Sequence, residues 1–207
     1  MLSQTEIEKL KTDIDEIINA DKVVESLDNC VCVFGSSSIK ESEKSYKEAF
    51  DLGFSLAKAG FSVMTGGGPG LMEAVNKGVS KAGGMSVGMC MEFPGICIEN
   101  DFIDSKYHFL FKGFSSRKYI FWKSAIGFVA LPGGLGTLDE ITECLTLMQM
   151  DIIKKRPLIL FDENFWQPFS AWLDNTLKNK FKTITNKDLE LFSVSDSVSK
   201  IIEKLKK

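Results

Sequence analysis

The 207-residue sequence predicts an α/β fold: a doubly wound parallel sheet with helices on both faces, in a single domain. Three observations predict it. Short, continuous apolar runs alternate with stretches of helical period, as expected of strands buried between two layers of helices. Two glycine-rich loops, Thr65-Gly66-Gly67-Gly68-Pro69-Gly70 and Leu131-Pro132-Gly133-Gly134-Leu135-Gly136, each fall where an apolar run gives way to a helical stretch. The composition, 44% apolar and 26% charged, suits one core of this size.

The elements follow in order. Residues 1–28 are assigned to an N-terminal helix and residues 29–207 to the core. Ile7, Leu10, Ile14, Ile17 and Ile18 recur at helical spacing and predict a helix over 3–27. Residues 30–34 are an apolar strand in which Cys30 and Cys32 alternate and so share a face. Gly35-Ser36-Ser37-Ser38 is a turn, and 43–59 a helix. Residues 61–64 form the next strand, and the first glycine loop follows. Pro69 suits the first turn of the next helix, where a missing N–H costs nothing. That helix ends at Gly83-Gly84, before a strand over 85–90.

Residues 91–106 read as irregular, because Pro94, Gly95, Asn100 and Asp101 interrupt any period. A short strand is expected over 107–111, a helix over 114–123 and a buried strand over 125–131. The second glycine loop leads into a helix over 138–150. Residues 157–161 are a strand and 164–178 a helix. A short strand over 191–194 precedes a last helix over 195–206. Met85, Met89, Met91, Met148 and Met150 are expected in the core.

Composition narrows the function. The net charge of −3 gives no broad attraction to nucleic acid or anionic lipid. No apolar run is long enough to span a membrane, and Met1-Leu2-Ser3-Gln4-Thr5-Glu6 lacks the basic start and apolar stretch of a signal peptide. A cytoplasmic protein is expected. The five cysteines, Cys30, Cys32, Cys90, Cys97 and Cys144, show no C-x-x-C spacing and read as small buried hydrophobes. With His108 the only histidine, a structural role for it is expected, and neither a metal site nor a His-driven triad.

The three turns after residues 34, 64 and 131 fall at strand C-termini, where sheets of this kind bind ligands. Backbone N–H groups at a helix start, approached closely through glycines, make an anion site, so two such loops suggest a phosphorylated ligand. Neither loop spells a dinucleotide fingerprint or a G-x-x-x-x-G-K-[ST] loop. Thr137 and Glu140 stand at capping-box spacing, with Thr137 as N-cap. The same Glu140 carboxylate also suits ribose hydroxyls or a cationic sugar. Arg117-Lys118 reads either as a solvated pair or, among Phe114, Tyr119, Phe121 and Trp122, as a partly buried phosphate or carboxylate partner.

These residues carry a family likeness. Arg117-Lys118 followed by P-G-G-x-G-T-x-x-E over 132–140, together with G-G-G-P-G-L-M over 66–72, resembles the Lonely Guy (LOG) family of nucleoside 5′-monophosphate phosphoribohydrolases. The likeness extends from about residue 31 to 172. It implies a Rossmann-like fold and hydrolysis of the N-glycosidic bond of a nucleotide such as AMP or a cytokinin riboside monophosphate, without a metal or other cofactor. By match to the motif, Arg117 and Glu140 are the catalytic pair. Gly133, Gly134, Gly136 and Thr137 hold the phosphate, Lys118 and Thr146 contact substrate, and Gly35, Ser36, Gly67 and Gly68 line the same crevice. The resemblance also implies a homodimer, for which the clusters over 109–114 and 119–122 offer aromatic surface.

Two positions depart from the pattern. Ser38 stands where relatives often carry an Arg in G-S-A-R, and Ile96 where they tend to carry a Glu. A carrier or sensor of nucleotide or molybdenum cofactor on the same fold is the rival reading. Such a protein needs the glycine loops but not Arg117 and Glu140 together. A DNA-binding relative is disfavoured by the net charge.

Overall fold

The computed structural model describes residues 2–93 and 96–207. Met1, Pro94 and Gly95, and with them the expected break at Pro94-Gly95, lie outside the described residues, as does the side chain of Ile96. The elements run α1 (Gln4–Val24), β1 (Cys30–Phe34), α2 (Lys44–Lys58), β2 (Ser62–Thr65), α3 (Leu71–Lys81), β3 (Ser86–Phe93), β4 (Ile96–Ile98), β5 (His108–Phe111), α4 (Phe114–Ser124) and β6 (Gly127–Ala130). They continue with α5 (Leu135–Gln149), β7 (Leu158–Phe161), α6 (Glu163–Trp172), α7 (Asn186–Leu189), β8 (Ser193–Ser195) and α8 (Val198–Leu205).

The strands form one sheet in the order β4-β3-β2-β1-β6-β7-β8, with β5 also paired to β3. All pairings are parallel except β3 with β4. From β1 the chain winds outward through β2 and β3, then returns to place β6 on the other side of β1. Between β1 and β6 the two halves diverge, leaving a crevice at the strand C-termini.

Strand alternation sends side chains to two cores. Cys30, Cys32 and Phe34 pack with residues of α1, α4, α5 and α6 on one face. Val31 and Val33 pack with α2, α3 and α8 on the other. Cys30 and Cys32 do share a face, as period 2 requires. No helix among the described residues is long and apolar enough to cross a membrane.

Several boundaries differ from the expectation. The stretch 91–106 is not wholly irregular: β3 continues to Phe93, and Met91 and Phe93 pair with Ile98 and Ile96 of β4. A period too short to register locally is completed here by its partner strand. Pro69 precedes α3 rather than occupying its first turn, because Gly70 is the N-cap. On α1 only part of the apolar set is used. Ala20 and Val24 are buried and Ile17 packs beside them, while Leu10, Ile14 and Ile18 are exposed. Met89, Met91 and Met148 are core residues, but Met85 and Met150 are exposed. The helix expected over 164–178 changes character at Leu173, where a π-helical segment runs to Lys180. The short α7 was not foreseen; a Thr185–Asp188 capping box holds it.

Helices α2 and α3 approach closely enough for backbone to touch backbone. A Cβ on Gly78 would stand 2.2 Å from the Phe50 carbonyl oxygen, and one on Gly53 would stand 2.3 Å from that of Val75. Gly78→Ala is therefore expected to destabilise the protein by about 1–3 kcal/mol through overpacking. Ser80→Ala, on the exposed side of the same helix, should change stability by about 0.5 kcal/mol or less. Urea unfolding of the two variants checks the pair.

Candidate active site

Three loops meet over the crevice: the turn after β1, the glycine loop after β2 and the glycine loop after β6. The backbone of Ser36 joins them. Its N–H donates to the Pro132 carbonyl at 3.0 Å, and its carbonyl accepts from the Leu71 N–H at 2.9 Å. Gly35 lies beneath, where a Cβ would come within 3.1 Å of Leu71 Cβ and 3.2 Å of Leu131 Cβ. Gly70 holds φ +72°, and a Cβ there would lie 2.6 Å from the Ser36 carbonyl oxygen. Only glycine combines that conformation with that approach.

The first glycine loop is shaped by a buried polar network. Thr65 Oγ1 donates to Asn76 Oδ1 at 2.7 Å and accepts from the Gly67 N–H at 2.9 Å. Asn100 Nδ2 donates to the carbonyls of Gly67 and Gly68 at 3.0 and 3.1 Å, and also contacts Asn76 Oδ1. Asn76 Nδ2 completes the set on Ser86 Oγ at 2.8 Å. The Gly67 and Leu71 N–H groups are thus already engaged within the protein. Gly66 faces inward, and a Cβ on it would come within 3.5 Å of an Arg117 terminal nitrogen.

The second loop is the open one. The expected capping box at Thr137 and Glu140 is absent, because α5 starts earlier: Gly134 is the N-cap and no side chain caps it. Thr137 then falls inside the first turn and Glu140 one turn further in. The glycines let the helix begin before the residue types that signal a start. The first-turn N–H groups of Leu135, Gly136 and Thr137 have no carbonyl four residues back within the helix. Among the described residues, nothing lies within 4 Å of where a Cβ would stand on Gly134 or Gly136. Thr137 is buried, with its hydroxyl packed against Gly133. Backbone donors, open approach and the positive end of the helix dipole together favour an anion here.

Arg117 on α4 and Glu140 on α5 face each other beside these loops. Their nearest N–O distance is 3.6 Å, and both side chains are about nine-tenths buried. That separation is an electrostatic contact rather than a hydrogen bond, which leaves both groups free to turn to a ligand. The guanidinium carbon lies 5.0 Å from the Phe114 ring centre and 5.5 Å from that of Phe121. One terminal nitrogen donates to the Met89 carbonyl at 3.4 Å. Its Nε is buried without a hydrogen-bond partner among the described residues. Burial raises the Glu140 carboxyl from 4.5 to about 7; Arg117 opposes the shift and Asp139 adds to it. Burial likewise lowers Arg117 from its ordinary value, against the pull of Glu140.

Lys118 is also buried, and bonds Asp139 at 2.9 Å and Glu143 at 3.3 Å. Burial pulls its pKa down, but the two carboxylates outweigh this and the net shift is upward. Ser38 is exposed in the β1 turn, where its N–H donates to Ser36 Oγ. Thr146 is exposed further along α5 and lines a separate cavity of about 290 Å³ with Leu145, Gln149 and Trp172. The structure thus gathers Gly35, Ser36, Gly67, Gly68, Arg117, Gly133, Gly134, Gly136, Thr137 and Glu140 around one crevice, and sets Thr146 apart. Sequence reasoning missed Asn76 and Asn100, whose only signal was polarity inside an apolar helix and beside a break. It also missed the carboxylates of Asp139 and Glu143, which satisfy Lys118.

Comparison with known proteins places this geometry in context. The family model described as "Possible lysine decarboxylase" matches residues 72–205. The cytokinin riboside 5′-monophosphate phosphoribohydrolase LOG of Oryza sativa subsp. japonica is 31% identical over 155 residues, covering 73% of this chain but 62% of that relative. The cytokinin riboside 5′-monophosphate phosphoribohydrolase LOG3 of Arabidopsis thaliana is 29% identical over 184 residues, covering 84% of this chain and 80% of that relative. Among solved structures, the molybdenum cofactor binding protein of Rippkaea orientalis superposes with a TM-score of 0.63 at 22% identity, over 87% of this chain and 97% of that one. The molybdenum cofactor carrier protein of Chlamydomonas reinhardtii does so with 0.63 at 23%, over 86% and 97%. These structural likenesses establish the Rossmann-type fold.

The raised Glu140 pKa has a consequence for stability. A carboxyl that rises from 4.5 to about 7 on folding binds its proton more tightly in the folded chain. Its contribution is full below about pH 4.5 and is lost as pH rises through about 7. Glu140→Gln removes that dependence. Relative to wild type, the variant should therefore gain stability between about pH 5 and pH 8, by up to about 3 kcal/mol. Urea unfolding across that range measures the difference.

Proposed function

The chain belongs to the LOG family, whose model carries the description "Possible lysine decarboxylase", and on that premise we propose that it hydrolyses the N-glycosidic bond of a nucleoside 5′-monophosphate. The observation that carries the reading is the buried Arg117–Glu140 pair set beside the open N-terminus of α5. Relatives named as cytokinin riboside 5′-monophosphate phosphoribohydrolases support the reaction class.

In this reading the 5′-phosphate sits on the N–H groups of Leu135, Gly136 and Thr137, with the Thr137 hydroxyl beside it. The ribose then lies over Glu140. As the bond from C1′ to the base nitrogen breaks, positive charge builds on the sugar, and the Glu140 carboxylate faces it. Water adds at C1′, and the base leaves with a proton. Arg117, held over the rings of Phe114 and Phe121, orients the substrate and assists departure of the base. The products are the free base and ribose 5-phosphate. Lys118 positions Asp139 and Glu143 on the next turns of α5. The two carboxylates raise its pKa, whereas a nucleophilic lysine is activated by a lowered one.

Self-association belongs to the same proposal. Of the clusters over 109–114 and 119–122, Leu110 and Phe114 are exposed and offer apolar surface, as do Leu135 at the start of α5 and Met150 and Ile152 just beyond its end.

Incubation with a panel of nucleoside 5′-monophosphates, followed by assay of free base and ribose 5-phosphate, tests the reading. Release is expected from at least one nucleotide, falling about 10²-fold or more in Glu140→Gln and in Arg117→Ala. Nucleotide binding without release from any member of the panel would instead support a carrier. Because the ionised carboxylate is the working form, kcat/KM should fall as pH drops below about 7, the value to which Glu140 is raised. Asp139→Asn, which removes a neighbouring negative charge, should move that midpoint downward; a pH–rate profile of both proteins measures it.

A further inference from the structure

We propose that Cys90, Glu99 and His108 form a binding site for a divalent cation of the zinc class, set against the first glycine loop. The Cys90 thiol, a Glu99 carboxylate oxygen and a His108 ring nitrogen all lie within 4.8 Å of one another. They come from three segments: the C-terminal half of β3, the residue after β4, and the first residue of β5. The pairing of β3 with both neighbours, Met91 to Ile98 and Gly88 to His108, brings them together.

Two features set this cluster apart from an ordinary ion pair beside a buried thiol. His108 Nε2 lies 2.5 Å from Glu99 Oε2. Yet that nitrogen is shielded from solvent and has no hydrogen-bond partner among the described residues, so the two groups converge without donor–acceptor geometry. The donor set is the second feature. One sulfur, one nitrogen and one oxygen match the mixed preference of zinc. A thiolate and a carboxylate with a neutral imidazole also balance a dication's charge. On binding, the thiol releases its proton to solvent and a metal–sulfur bond replaces the S–H bond. Cys90 is fully buried, while Glu99 and His108 reach solvent and give an entry path. Three protein ligands leave a fourth position for water.

The cation would tie the hairpin and β5 to the crevice. Cys90 Sγ packs against Gly67, where a Cβ would come within 2.2 Å of it. Asn100, next to Glu99, holds the carbonyls of Gly67 and Gly68. Metal at this point would brace the first glycine loop from behind, one residue along β3 from the Met89 carbonyl that Arg117 contacts.

Titration of the chelator-stripped full chain with Co²⁺ tests the proposal by absorbance, independently of any nucleotide turnover. One Co²⁺ per chain is expected, with a thiolate-to-cobalt charge-transfer band and the strong visible bands of a four-coordinate ion, both abolished by an equivalent of Zn²⁺. Cys90→Ser should lose the charge-transfer band, and His108→Gln should weaken binding by about tenfold or more. Cys97→Ser, which changes the exposed thiol 3.5 Å from Glu99, should keep both features. No charge-transfer band in the wild-type protein at saturating Co²⁺ overturns the site. A band that survives Cys90→Ser, or one lost in Cys97→Ser, also overturns it. The wild-type spectrum decides by itself if a variant fails to fold.

Discussion

The crevice depends on the backbone of a single residue. Ser36 gives its N–H to Pro132 and its carbonyl to Leu71, and so ties the turn after β1 to both glycine loops. Its position follows from the sheet, in which β1 lies between β2 and β6 and the chain leaves it in one direction and returns from the other. The loops at that reversal would otherwise diverge. Bringing them together forces the backbone of Gly70 to a positive φ against the Ser36 carbonyl. It also aligns the start of α5 with α4, which carries Arg117. The open start of α5 and the charged pair are thus two results of one closure.

The groups inside that closure are poor stabilisers. Taking Arg117 and Glu140 out of water costs free energy that a 3.6 Å contact returns only in part. The shift of Glu140 toward neutrality records the same cost, since burial is its largest cause. The surrounding structure offsets it with interactions that are fully made. Asn76 and Asn100 are buried, and each makes several hydrogen bonds around the first loop. Trp166 Nε1 donates to the Ala130 carbonyl at the base of the second loop. Arg156 donates to the carbonyls of Trp122 and Ala125 at the end of α4. A satisfied frame holding an under-satisfied pair is the arrangement expected where binding energy is reserved for a ligand.

The family relationship fits this division. The structural neighbours at 22–23% identity, a molybdenum cofactor binding protein and a carrier protein among them, share the fold alone. Arg117 and Glu140 are what the loops do not require. Their convergence, with Glu140 raised to about 7, gives the crevice a chemical group as well as a shape.

The sequence by itself determined most of the elements, because strands and helices are written in local periodicity. The apolar runs at β1, β2, β6 and β7 and the breaks at Gly35, Gly66 and Gly133 were legible for that reason. So was the motif that marks Arg117 and Glu140. Local signals failed where a partner decides the outcome. Strand β4 exists because β3 pairs with it, and α5 begins at Leu135, two residues before Thr137, because its glycines permit the earlier start. Whether Glu140 was a helix cap or a carboxylate for a sugar was open in the sequence, since both readings use the same residue at the same spacing. Only the packing of α4 against α5 settled its burial and its pairing with Arg117. The same holds for Cys90, Glu99 and His108, whose spacing matches no ligand motif. Their meeting is a product of strand pairing, and distances of that kind are set by the sheet rather than by neighbours along the chain.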